Sequence, residues 1–260
     1  MQIKTLNLPV MAINATYLKV FSIVIALFIT VFAFAQEVSL HAHNDYLKKK
    51  PLFDALEQNI YSIEIDVFPS DRGVVVAHTG NSLSQKPLLE ELYILPLKKV
   101  LDAGNIKSQV SLVFDIKNGG DKTCTEIMKL LNTHLAKHRF QLRILFTGGY
   151  GKEFRKNFMQ WNIVFDYNLE NYLKTGEIPD YSGRFSNSYS TFKSYYKSIP
   201  KDSLQKRFAL ANMMGLETRV WAAGNNEKTW DFLVKLGFNI LNVDDYKKAR
   251  NFLNKINSKN

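Results

Sequence analysis

The chain is poor in cysteine. Of its 260 residues only Cys124 carries a thiol, so no disulfide can form within one chain and a disulfide-stapled miniprotein is excluded. Glycine and proline are sparse, at 13 and 7 residues, while 46% of the chain is hydrophobic and 13% aromatic. That balance excludes a collagen-like chain and a disordered tail. Acidic charge is the minority: 24 Asp and Glu face 34 Lys and Arg, for a net +10. A basic surface suits anionic lipid or phosphate-bearing substrates. No basic helix or interleaved aromatic stripe is present, so no nucleic acid is expected. The run Lys48-Lys49-Lys50 reads as a solvated loop. No internal repeat is visible.

Long apolar runs are also scarce. The one candidate, Val20 to Ala35 (VFSIVIALFITVFAFA), follows Lys19 and ends in Ala33-Phe34-Ala35. It is short for a spanning helix, which needs about 20 apolar residues. Its charged flank, apolar middle and small-x-small end predict a signal peptide over 1–35, cleaved after Ala35. The protein is then expected to be exported, periplasmic or secreted. Residues 36–260 would form a single domain of charge +8, Lys4 and Lys19 having been removed.

Strand-like runs alternate with helical stretches along that domain. The strands read as 38–40, 61–67, 74–77, 111–116, 142–146, 162–165, 218–222 and 239–243, and the aromatic, Ser-rich stretch Tyr181–Tyr196 as a long loop near a barrel mouth. Alternation implies a parallel sheet, and eight strands in this length fit a (β/α)8 TIM barrel. The link Phe68–Gly73 is too short for a helix, so the barrel is expected to be distorted.

Polar residues gather late in these strands. Residues i and i+2 of a strand share a face, which pairs Glu64 with Asp66 in YSIEIDVF and Asp115 with Lys117 in SLVFDIK. His41 and His43 repeat the spacing, His78 ends VVVAH, and Trp221 shares a face with Arg219. All strand ends of a barrel meet at one mouth, where active sites are built. Carboxylate oxygens suit Mg2+ or Ca2+, which polarise phosphoryl oxygens. Two imidazoles can serve as general base and general acid, and Lys117 can pair with Asp115 and reach a phosphate. Cys124 has core spacing, and Asp244 or Asp245 is placed to cap the last helix.

The order His43, Glu64-Ile65-Asp66, His78, Asp115-Ile116-Lys117 and Trp221 resembles the phosphatidylinositol phospholipase C-like phosphodiesterase superfamily. Glycerophosphodiester phosphodiesterases and spider-venom sphingomyelinase D belong to it. HAHNDY, YSIEIDVF and VVVAH are most similar to its subgroup around altered inheritance of mitochondria protein 6, and WAAGNNEKTWDFLVKLGFNILNVDD resembles its last two βα units. The resemblance implies a distorted TIM barrel and a metal-dependent phosphoric diester hydrolase. One divalent cation, Mg2+ or Ca2+, would be held by Glu64, Asp66 and Asp115. His43 and His78 would be the acid/base pair, with His43 provisionally the base. Lys117 would be catalytic, and Asn44 and Trp221 substrate-binding. The substrate would be a small-molecule or lipid phosphodiester, met at an anionic membrane surface in the lipid case. His43-Asn44-Asp45 stands where glycerophosphodiester phosphodiesterases carry His-Arg-Gly, so the reaction class is implied more closely than the substrate.

Two other readings remain. His41-Ala42-His43 is an HxH that binds Zn2+ in other barrel hydrolases; the further histidines available are His78, His134 and His138, the last two read as solvent-facing. A barrel that binds phosphorylated head groups without turnover is the non-catalytic alternative.

Overall fold

The computed structural model describes residues 38–179 and 183–258. The expected signal segment 1–35 and its cleavage site lie outside the described residues. Among the described residues nine strands form the sheet: β1 (Ser39–Ala42), β2 (Ser62–Ser70), β3 (Gly73–Val76), β4 (Val110–Ile116), β5 (Leu142–Gly148), β6 (Ile163–Asn168), β7 (Arg184–Ser188), β8 (Glu217–Trp221) and β9 (Ile240–Val243). Eight of them pair in parallel, and β1 bonds to both β2 and β9, which closes the barrel. β3 stands outside this ring as the antiparallel partner of β2. The short link Phe68–Gly73 is therefore the closed end of a hairpin, with Asp71 and Arg72 as its turn between the paired Ser70 and Gly73, and that is the distortion the sequence signalled.

The helices are α1 (Phe53–Glu57), α2 (Leu95–Asp102, entered through a π turn at Glu90–Ile94), α3 (Gly120–Leu135), α4 (Leu169–Thr175), α5 (Tyr189–Tyr195), α6 (Lys201–Met213), α7 (Glu227–Leu236) and α8 (Tyr246–Asn257). Strand residues facing them are apolar: Ile63, Ile65 and Val67 on β2, Leu112, Phe114 and Ile116 on β4, and Ile144 and Phe146 on β5 are all buried. Each such side chain contributes roughly 1.5–3 kcal/mol on leaving water. Cys124 lies in this layer, and burial pushes its thiol up to about 11. Among the described residues no helix is long and apolar enough to cross a membrane.

The sequence reading missed one barrel strand and counted a hairpin strand in its place. Val74–Ala77 holds most of β3, and part of the stretch read as a loop is β7 followed by α5. Asp180, Tyr181 and Ser182, within or beside that stretch, lie outside the described residues. The reason is polarity. In Arg-Phe-Ser-Asn-Ser only Phe185 is apolar, because this wall of the barrel interior is lined by charge: Arg184 bonds Glu217 on the next strand at 2.8 Å and Ser62 across the barrel at 3.2 Å. The opposite wall is apolar, with Val113, Leu145 and Val164 forming their own small cluster.

Candidate active site

The site is assembled at the C-terminal ends of the strands. Register places Asp66 of β2 directly beside Asp115 of β4, where neighbouring strands run ~4.8 Å apart. Glu64 lies one inward-facing position earlier on β2. One oxygen from each of Glu64, Asp66 and Asp115 falls within 4.8 Å of the others. Lys117 Nζ lies 2.5 Å from Asp115 Oδ2 and 3.0 Å from Asp66 Oδ2, so one ammonium offsets two carboxylates. Burial pulls the Lys117 pKa down, but these two contacts outweigh it and hold the group above its usual range. Burial raises the Asp115 carboxyl against the pull of Lys117.

Glycine is required beside this triad. Gly148 ends β5 with φ +73°, and a Cβ there would lie 2.1 Å from Asp115 Oδ1 and 2.8 Å from the Ile116 carbonyl. Any side chain would evict the Asp115 carboxylate from its present position.

The two imidazoles expected to move protons each lean on a carboxylate. His78 Nδ1 donates to Asp66 Oδ2 at 2.9 Å, with the ring 60% exposed. His43 Nδ1 donates to Asp244 Oδ1 at 2.7 Å. Burial lowers the His43 pKa, but the Asp244 hydrogen bond and the Glu64 charge outweigh it and hold the ring above its ordinary value. The same bond holds the Asp244 carboxyl low. Each Nδ1 is thus committed, which fixes the tautomer and leaves Nε2 for chemistry.

His41, two residues before His43, is different in kind. It is fully buried, with Nε2 at 2.6 Å from Glu64 Oε2 and Nδ1 at 2.8 Å from Ser62 Oγ. Burial, followed by the Arg219 charge, lowers its pKa to about 3, so the ring is neutral. A carboxylate can only accept, so Nε2 carries the hydrogen and Nδ1 accepts from Ser62. No nitrogen remains for a metal, and the HxH zinc reading has no second ligand here. His134 and His138 are spent elsewhere, on Glu90 at 2.7 Å and on Asp102 at 2.7 Å; both are half-buried in these pairs.

The residues toward a cation fit. Asp66 is wholly buried, yet its Oδ1 has no hydrogen-bond partner among the described residues. Glu64 spends Oε2 on His41 and on Arg219 Nη1 at 3.0 Å. Burial works to raise its pKa, but those two neighbours outweigh burial and hold the carboxylate ionised. Oxygen ligands from three carboxylates suit a hard divalent cation.

Several contributors escaped the sequence reading. Arg219 was seen only as a neighbour of Trp221, yet it ties Glu64 to Asn242 and Asp166 across the barrel. Tyr46 Oη donates to Asp66 Oδ2 at 2.8 Å and lies 3.1 Å from His78 Nδ1 and 3.0 Å from Asn44 Oδ1. Asn225 donates to Asp244 Oδ2 and accepts from the Asp244 and Asp245 amides. Of the two candidates for the cap of the last helix, Asp244 and Asp245, it is Asp245 that accepts from the Lys248 amide. The motif HNDY held Tyr46 in plain view, whereas nothing local marked Asp166 or Asn225. Trp221 ends β8, 44% exposed at the mouth.

Residues 31–131 match the sequence model of the AIM6-like phosphodiesterase domain. The chain is 31% identical to an altered inheritance of mitochondria protein 6 homolog of Arthroderma benhamiae over 118 residues, which is 36% of this chain and 38% of that relative. It is 23% identical to altered inheritance of mitochondria protein 6 of Eremothecium gossypii, with 82% and 69% of the two chains covered. Against the Saccharomyces cerevisiae protein of that name (strain S288c) identity is 38% over 82 residues, 31% of this chain and only 20% of the relative. Among solved structures, a Ca2+-dependent phosphatidylinositol-specific phospholipase C from Streptomyces antibioticus superposes with TM-score 0.57 at 12% identity, covering 83% of this chain and 95% of that one. A glycerophosphodiester phosphodiesterase from Agrobacterium tumefaciens does so with TM-score 0.50 at 11% identity, covering 83% and 99%. Residues 31–131 therefore resemble the AIM6-like phosphodiesterase domain, and the described residues adopt a TIM-barrel fold like that of the two solved structures.

Proposed function

We propose that this chain is a metal-dependent phosphoric diester hydrolase acting on a glycerophosphodiester or phospholipid-type diester. One observation carries the reading: three carboxylates whose oxygens lie within 4.8 Å, one of them with a buried unpartnered oxygen, flanked by two imidazoles that each keep Nε2 free. Glu64, Asp66 and Asp115 would hold the cation, Mg2+ or Ca2+. When bound, it supplies Lewis-acid charge beside a phosphoryl oxygen and offsets developing negative charge.

The chain's own residues do the rest. His43 Nε2 takes the proton of the attacking hydroxyl, whether from a neighbouring substrate group or from water. The new O–P bond forms as the P–O bond to the leaving group breaks. His78 Nε2 returns a proton to the departing oxygen, so charge and protons balance over the step. Asp244 and Asp66 stabilise the two imidazolium forms. Lys117 offers a positive charge to the phosphate, and Asn44 and Trp221 line the approach.

The mouth loop that follows His43 also carries Leu47, 67% exposed, and the exposed Lys49 and Lys50. An apolar side chain beside lysines supports an anionic lipid surface as the place where substrate is met. Export through residues 1–35 belongs to the same proposal.

The test is turnover by the full chain of glycerophosphodiesters, lysophospholipids and phosphatidylinositol, with Mg2+, Ca2+ or chelator. Glu64→Gln and His43→Ala run alongside. Turnover that needs a cation and is abolished by both substitutions is the expected result. A folded, cation-binding protein that turns over none of these diesters would overturn the reading in favour of a binding barrel.

A further inference from the structure

The segment from His43 to Leu52 carries three groups of the site: the His43 imidazole, Asn44, and the Tyr46 phenol on Asp66. It is not built from regular structure. Its only element is a three-residue 3-10 turn, Asp45–Leu47. It begins and ends in backbone that ordinary side chains avoid, with φ of 46° at Asn44 and 67° at Leu52. Leu52 is neither glycine nor asparagine and is wholly buried, so its conformation must be imposed from outside.

Asp45 is the group that imposes it. Its side chain is wholly buried and accepts three hydrogen bonds from three separate parts of the fold. The Leu52 amide reaches Oδ2 at 2.5 Å, Tyr93 Oη of the π turn reaches Oδ2 at 2.9 Å, and Tyr246 Oη at the start of α8 reaches Oδ1 at 2.9 Å. Leucine at 52 thus has its amide turned inward to a carboxylate seven residues earlier, and the segment is closed into a loop. The far side of the loop is tied separately, with Lys48 Nζ on the Asp244 carbonyl at 2.8 Å. Burial pushes the Asp45 carboxyl upward against the three donors, the direction expected of a charge kept inside for its bonds.

We propose that Asp45 is the positioning residue of the mouth: by gathering Leu52, Tyr93 and Tyr246 onto one carboxylate it holds His43 against Asp244 and Tyr46 against Asp66. It touches neither substrate nor cation. The proposal rests on the function argued above only in naming what His43 does. Its test therefore avoids turnover, and the two can fail separately.

Asp45→Asn keeps the volume and removes the charge, while Tyr93→Phe with Tyr246→Phe keeps the carboxylate and removes two donors. Three measurements are read on the full chain. The first is Ca2+ affinity by calorimetry with the metal alone. Because the three carboxylates stand on β2 and β4, it should stay within about twofold, as for independent sites. The second is exchange of the Leu52 amide, which should speed by about tenfold when its acceptor is weakened. The third is titration of the His43 imidazole by NMR, which should fall back toward the ordinary histidine value as the Asp244 contact loosens. A general loss of stability would not move the His43 titration while sparing the metal. Unchanged His43 titration and Leu52 exchange in both variants would overturn the proposal, and so would a Ca2+ affinity that falls in step with them. If Asp45→Asn does not fold, the double tyrosine variant decides by the same readings.

Discussion

Two polar regions share the inside of this barrel and follow opposite rules. In the lower region charges are matched with one another. Arg143 and Arg184 meet Glu217 at 2.7 and 2.8 Å, and Arg219 meets Glu64 and Asp166 at 3.0 and 3.5 Å, while His41 is kept neutral between Ser62 and Glu64. At the mouth, the imidazoles are held but not used up: His43 and His78 are each bonded through Nδ1 alone. The adjacent histidines His41 and His43 mark the border. Ala42 alone separates a ring whose pKa is driven down to about 3 from one held above its ordinary value. The lesson is that a titratable residue inside a barrel is not a catalytic candidate by type. What distinguishes the two histidines is whether a ring nitrogen is left over after the neighbours are satisfied.

Asp66→Asn should give the largest effect, because it strikes a proposed cation ligand and the partner of His78 together. Turnover should fall about 10³-fold or more, and Ca2+ binding by calorimetry should be lost while the thermal midpoint holds or rises. A midpoint that collapses instead would move Asp66 into the structural region.

Glu217→Gln tests the other side. It leaves Arg143 and Arg184 inside the barrel without their carboxylate, and loss of one partner of a buried pair costs about 3–5 kcal/mol. Urea unfolding should register this, with the activity of the remaining folded fraction near wild type. Equal loss of activity per folded molecule would dissolve the distinction between the regions.

Acid should separate them by sign. His41 binds its proton in the unfolded chain near the ordinary histidine pKa but resists it in the fold down to about 3. Its folded pKa is depressed, so its contribution to stability is present above that ordinary value and is lost as pH falls through the window between. One such proton changes stability by about 1.4 kcal/mol per pH unit. The slope should shrink in His41→Gln, measured by urea midpoints from neutral to acid. His43 has the opposite sign: its folded pKa is raised, so its contribution is present at low pH and fades as pH rises through the raised value. A His41→Gln variant with an undiminished acid slope would assign the acid sensitivity elsewhere.

The smallest effect concerns the mouth alone. Lys49→Glu with Lys50→Glu should weaken co-sedimentation with phosphatidylglycerol vesicles by about 1 kcal/mol or more per residue at low salt and leave hydrolysis of a soluble diester unchanged. Equal sedimentation of both proteins would remove the lipid surface from the proposal.

What the sequence by itself determined were features that repeat with the period of a strand or sit at its end. Alternation put Glu64 and Asp66 on one face and the isoleucines on the other, and the strand ends carrying His43, His78, Asp115 and Trp221 pointed to one mouth. That was enough for the barrel and for the cluster of three carboxylates within 4.8 Å. β7 was lost because its inward residues are Arg184, Ser186 and Ser188, and a strand facing a charged wall shows no hydrophobic run. Tertiary structure alone decided the partners. Asp244 reaches His43 from 201 residues away, Tyr246 reaches Asp45 over the same separation, and Arg219 reaches Glu64 over 155. Such pairs meet only because β9 closes onto β1 and β8 faces β2 across the barrel, and no local pattern in the chain encodes a distance created by closing a ring.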